Sequence, residues 1–260
     1  MIGVFDSGVG GLSVLASLRR ALPRADLLYY ADTARLPFGS RSPALIRRFA
    51  REAGEKFRLF GVDFLQVACG TVSAVGLDEI AAAARCPVSG VILPVVERIA
   101  SDGKRRVLIL STEATANSRA YETALAEKIP GVATLSLGCP LFVSLVECGF
   151  CAKNDPALLS LVGRTLLPGQ TFFPDSVLLG CTHFRRLSPL IAPLFPGVPL
   201  YDCGEAAASA LTASAEGQAE QRGEGKLRVL VSDGPERFRR TAERVAGLFG
   251  VTVEEVPQDE

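Results

Sequence analysis

An alternation constrains this chain most: eight short apolar runs, at 2–5, 27–30, 64–68, 88–92, 107–110, 132–137, 177–179 and 229–231, are separated by longer segments with apolar residues at helical spacing. Continuous short apolar runs suit strands buried on both faces, and helical segments between them supply the crossovers that parallel strands require. The fold class is therefore α/β, with mainly parallel sheets flanked by helices. In such sheets ligands sit beyond the carboxyl ends of the strands, so the residues just after each run are the ones to inspect.

Those strand ends repeat. The first half reads IGVFDSGVGG and then FLQVACGT, while the second reads RVLILSTEAT and then DSVLLGCTH. Each half thus has a polar turn followed by a cysteine and a threonine. Two similar lobes facing across a cleft follow, with the chain crossing at 93–95, around Pro94, and returning at 200–205. The expected division is 1–94 plus 204–260 for one lobe and 95–203 for the other. The polar stretch EGQAEQRGEGK, 216–226, is expected to be an exposed loop.

Composition narrows the partner. Lys plus Arg and Asp plus Glu both number 28, so no basic face for nucleic acid or an anionic membrane is expected. No run is long enough to span a bilayer, and no export signal is visible at the start. Seven scattered cysteines do not form the even framework of a small secreted domain, so the expectation is reduced thiols, a cytoplasmic protein and a small-molecule partner.

Cys69 and Cys181 each follow an apolar run and each precede a threonine, Thr71 and Thr182. Small buried thiols are the bland alternative. Matched contexts in both halves favour chemistry: inversion at a carbon needs one group to remove a proton from one face and another to deliver one to the opposite face. A thiol, with an ordinary pKa of about 8.5, becomes a usable base beside a cation or helix N-terminus. The DSGVGG turn could hold a substrate carboxylate on backbone N–H groups, with Asp6 facing an ammonium or a thiol; an ordinary capped βα turn is the rival. His183, the only histidine, could tune Cys181 or serve as a cap, and Glu147 reads equally as a supporting acid or a solvated helix end. Cys148 and Cys151 form a CxxC without a second pair; a zinc site with Cys139 is the reading set aside.

Several ordered motifs carry a resemblance over nearly the whole chain: FDSGVGGLSVL (5–15), ADTARLPFGSRS (31–42), ACGTVSA (68–74), the Thr112, Thr115, Ser118 and Tyr121 series, CPLFVSLVE (139–147), GCTH (180–183) and SDGPERF (232–238). Together they resemble the glutamate racemases of the aspartate/glutamate racemase superfamily. The resemblance implies glutamate bound between facing lobes without metal or pyridoxal phosphate, for supply of D-glutamate to peptidoglycan; a homodimer is compatible with it. It implies Cys69 and Cys181 as the two bases, Asp6 supporting the first, and His183 and Glu147 the second. Ser7, Pro37, Phe38, Gly39, Ser40, Gly70, Thr71, Thr115 and Thr182 take the substrate-holding positions.

Two residues depart from the family pattern. Gly70 stands where asparagine is usual, removing a polar contact that can be worth roughly 1.5–3 kcal/mol to a charged group. Phe38 replaces a common tyrosine. Room beside Cys69 at Gly70 raises racemisation of aspartate or another acidic amino acid as an alternative, and a non-catalytic binding protein as a second.

Overall fold

The computed structural model describes residues 1–152 and 154–256. Ten strands run β1 (Ile2–Asp6), β2 (Leu27–Ala31), β3 (Phe64–Val67), β4 (Val88–Ser89), β5 (Arg106–Ser111), β6 (Ala133–Gly138), β7 (Ser176–Leu179), β8 (Leu200–Asp202), β9 (Leu227–Val231) and β10 (Val253–Glu255). They form two wholly parallel sheets, ordered β10-β9-β2-β1-β3-β4 and β6-β5-β7-β8.

The internal repeat has a topological counterpart. Within each half the second strand lies beside the first, then the third, then the fourth: β2-β1-β3-β4 and β6-β5-β7-β8. Asp6 and Ser111 end the equivalent strands β1 and β5, and Cys69 and Cys181 follow the equivalent strands β3 and β7. β9 and β10 extend the first sheet, returning the chain end to the first lobe.

Strand alternation puts helices on both faces of each sheet. Ile2, Val4 and Tyr29 enter one buried cluster of the first lobe, while Phe5, Leu28 and Tyr30 enter the other. In the second lobe Leu108, Leu110 and Val177 face one cluster, Val107, Ile109 and Leu178 the opposite one. Helix Cys203–Ala213 belongs to both lobes: Cys203 and Ala207 pack in the second-lobe cluster, Ala208 and Leu211 in the first.

Several local expectations need correction. The run 88–92 gives only a two-residue strand, because Gly90 follows it and Ile92 opens helix Ile92–Ser101. The crossing at 93–95 is therefore the first turn of a helix, with Pro94 where its missing N–H costs nothing. We propose the lobe division 1–94 plus 204–260 and 95–203 on the strength of the sheet orders. The stretch 216–226 is not one loop: helix Ala215–Ala219, capped by the Ser214 hydroxyl, leads into a short turn, Glu220–Arg222. Among the described residues no helix is long and apolar enough to cross a membrane.

Candidate active site

The site lies where the carboxyl ends of the two sheets meet. Asp6, the last residue of β1, is buried; its Oδ1 accepts from the Gly8 N–H at 2.9 Å. Its Oδ2 accepts from the Thr182 hydroxyl of the other lobe at 3.2 Å. Burial pushes the Asp6 pKa up, and the nearby His183 opposes that shift.

Cys69 follows β3 and caps helix Gly70–Val75, with its Sγ 3.8 Å from Ser7 Oγ. Burial, and next the charge of Asp6, push its pKa up to about 12, so without ligand it is held as a thiol. Cys181 follows β7 in the equivalent position, and its Sγ is 3.7 Å from His183 Nδ1. The opposite ring nitrogen, Nε2, is 2.7 Å from Glu147 Oε1. Burial works against a charged imidazole, but Cys181 and Glu147 outweigh it and hold the His183 pKa well above the usual histidine range. Although burial acts to raise the Glu147 pKa, His183 outweighs it, and the net shift is downward. A histidine cation and a glutamate anion therefore stand behind one sulfur, and an aspartate stands beside the other.

The glycine turn does hold a carboxylate, though the protein's own. The Val9 N–H donates to Glu147 Oε1 at 3.1 Å, and the Gly8 N–H is taken by Asp6. These two N–H groups are thus occupied by the protein's own carboxylates. A β-carbon at Gly8 would lie 2.4 Å from Glu147 Oε1, and one at Gly10 2.4 Å from His183 Nδ1, so a side chain at either would displace these partners.

Across the junction, Thr71 and Thr112 share a 3.0 Å hydroxyl contact, and Thr112 continues to Thr115 at 2.9 Å. The structure thus brings Asp6, Ser7, Cys69, Gly70, Thr71, Thr115, Glu147, Cys181, Thr182 and His183 to one junction. In the loop 37–40, Gly39 touches Thr112, and Ser40 is exposed with its hydroxyl 3.5 Å from the Pro37 carbonyl. The Phe38 ring is packed away against Phe5 and Phe49, so only its backbone remains for binding. A cavity of about 380 Å³ lies between the lobes, lined by Ser40 and Arg41 from one and Asn117 and Ser118 from the other; neither Cys69 nor Cys181 lines it. The room expected at Gly70 is filled: the Gly180 carbonyl oxygen occupies it.

Sequence reasoning gave Thr112 and Tyr121 no role. Thr112 links Thr71 to Thr115, and the buried Tyr121 hydroxyl donates to the Gly180 carbonyl at 3.2 Å. The signal for Thr112 was its place just past β5, opposite the polar turn after β1. Cys148 is exposed and Cys151 half-buried; all seven cysteines are unpaired thiols. Among the described residues no group of three His, Cys, Asp or Glu is disposed to hold a metal ion.

The fold is that of a two-lobed α/β protein with matched thiols at the junction, a carboxylate beside one and a histidine–carboxylate pair behind the other, groups that can accept and donate protons. The chain belongs to the Asp/Glu/Hydantoin racemase family, whose model matches residues 2–211. Its curated relatives include glutamate racemases. The one from Thermus thermophilus is 41% identical over 98% of this chain and 97% of its own. Among solved structures, the Francisella tularensis glutamate racemase in complex with D-glutamate matches with TM-score 0.90 at 30% identity, covering 99% of this chain and 97% of that one. The Thermus thermophilus glutamate racemase in complex with β-chloro-D-alanine matches with TM-score 0.84 at 39% identity, covering 98% and 96%.

Proposed function

We propose that this protein is a glutamate racemase, an isomerase that interconverts L- and D-glutamate with Cys69 and Cys181 as its two proton-transferring groups. The observation that carries the reading is the matched placement of the thiols, one after β3 and one after β7, each with its own charged support.

In one direction a Cys181 thiolate removes the α-proton and the Cys69 thiol delivers its proton to the opposite face. In the other direction the two exchange roles. The His183 cation stabilises negative charge on the Cys181 sulfur, and Glu147 holds the imidazole ring by its far nitrogen. On the other side Asp6 opposes ionisation of Cys69. A substrate ammonium bound between Asp6 and that sulfur counters both the carboxylate and the burial, so substrate itself activates the first thiol. Thr71, Thr115 and Thr182, with Ser7 and the backbone of 37–40, are the polar groups placed to hold the two carboxylates.

The aspartate and non-catalytic alternatives are not favoured, since the near-full-length relatives are glutamate racemases. The reading also includes supply of D-glutamate for peptidoglycan, cytoplasmic residence and a homodimer; cell fractionation and sedimentation check the last two. The decisive assay incubates the purified protein with each enantiomer of glutamate and aspartate in deuterated water, following chirality and α-deuterium. Inversion with deuterium incorporation is expected for glutamate, and incorporation with aspartate alone would reject the reading.

A further inference from the structure

Two stretches of the sequence motifs take no part in the proton transfers: ADTAR, which opens the motif at 31–42, and SDG, which opens that at 232–238. The structure joins them beneath the loop 37–40. Asp32, fully buried just past β2, donates its N–H to the Asp6 carbonyl at 3.1 Å. Its Oδ1 accepts from the Ser232 hydroxyl, just past β9, at 2.9 Å, and the same hydroxyl oxygen accepts from the Ala34 N–H at 2.9 Å. Its Oδ2 takes the Arg35 guanidinium at two nitrogens, Nε at 2.7 Å and Nη2 at 2.6 Å.

From that anchor the half-buried Arg35 reaches helix Pro43–Phe60. Its Nη1 pairs with Glu52, which Arg48 also holds at 2.8 Å, and its guanidinium carbon lies 4.1 Å from the centre of the Phe49 ring. Phe49 in turn packs on Phe38, ring centres 5.3 Å apart, and Phe38 on Phe5 at 6.3 Å. One side chain thus fastens the ends of β1, β2 and β9 to the helix whose Phe49 supports the loop. The task suits arginine: its planar fork presents several N–H groups in fixed directions and its face stacks on an aromatic ring, whereas lysine offers a point charge.

We propose that Arg35 is a positioning residue for substrate: by tying Asp32 to Glu52 and lying on Phe49 it fixes the backbone of 37–40, and through that backbone the grip on glutamate. The inference rests on the racemase reading above, in which the backbone of 37–40 helps hold the substrate carboxylates. A side chain can swing to meet a ligand, but backbone groups meet it only where the loop aims them. A loosened loop weakens binding of substrate and transition state alike, which raises KM and leaves kcat in place.

The test compares wild type with Arg35→Lys, which keeps a charge beside Asp32 and loses the fork and the flat face. For each glutamate enantiomer KM and kcat are measured, with kcat followed against pH. KM should rise about tenfold for both enantiomers, the loss that goes with one weakened charge-assisted contact, while kcat stays within about threefold of wild type and both limbs of its pH profile stay in place. An unchanged KM, a fall in kcat without a rise in KM, or a moved pH limb overturns the proposal; so does a lowered melting temperature with KM unaltered. Should Arg35→Lys show no cooperative melting, Glu52→Gln carries the test, since it removes the charge that holds the outer end of the guanidinium. A rise in KM of at least about threefold is expected there, and an unchanged KM overturns the proposal. An inactive wild type removes the racemase reading and this inference with it. An active wild type whose KM is indifferent to these changes removes this inference alone.

Discussion

His183 stands between Glu147 and Cys181, with Nε2 2.7 Å from the glutamate Oε1 and Nδ1 3.7 Å from the sulfur. The carboxylate that orients the ring comes from the end of helix Pro140–Glu147, and the first-lobe Val9 N–H also holds it. Closure of the lobes and the charge state of the histidine are therefore linked through one oxygen.

Replacing Glu147 by glutamine removes one of the two groups that hold the His183 pKa up. The imidazole should lose its proton at lower pH than in wild type. We expect the alkaline limb of the kcat profile to move to lower pH, with a further loss of roughly 10²-fold for His183→Ala at neutral pH. A pH–rate series in both directions checks this; an unmoved alkaline limb in Glu147→Gln contradicts it.

Asp6→Asn tests the other side. Burial is the larger cause of the raised Cys69 pKa, and the Asp6 charge is the second. Removing that charge lowers the pKa of the thiol, and each unit gives about tenfold more thiolate at a fixed pH below it. Alkylation of Cys69 by iodoacetamide at pH 8.5 should quicken, read by mass spectrometry of the labelled peptide, while racemisation falls. Slower or unchanged labelling contradicts this account.

Alkaline pH should erode stability. Burial raises the pKa of Cys69 and Cys139 to about 12 and holds that of Cys203 well above the ordinary thiol range. The sign follows from linkage: a raised folded-state pKa leaves this stabilisation whole below the unfolded value of about 8.5 and removes it as pH climbs towards the folded value. Each such thiol costs at most about 1.4 kcal/mol per pH unit in that window. Urea unfolding at pH 8, 9 and 10 should show falling midpoints, and Cys139→Ala a shallower fall. A flat series contradicts the assignment.

The strands β1, β2, β3, β5, β6, β7 and β9 were legible because each is an apolar run long enough to stand out. β8 and β10 were not: each has three residues, and Asp202, Glu254 and Glu255 break the apolar signal that pairing alone supplies. The placement of both cysteines and His183 just beyond strand ends, and of Asp6 at one, was readable from the sequence. What a single sequence does not carry is which groups meet across the junction. Nothing local to Val9 announces that its N–H will hold Glu147, and nothing local to Gly70 announces the Gly180 carbonyl. The second of these reversed an expectation, since the missing side chain leaves a backbone contact there rather than room.

The most direct measurement follows α-deuteration of D- and L-glutamate separately by Cys69→Ala and Cys181→Ala in deuterated water. If each sulfur serves one face of the α-carbon, both variants lose inversion, and each retains exchange with only one enantiomer, the two variants choosing opposite ones. Exchange of the same enantiomer by both, or wild-type inversion by either, would contradict the two-thiol account.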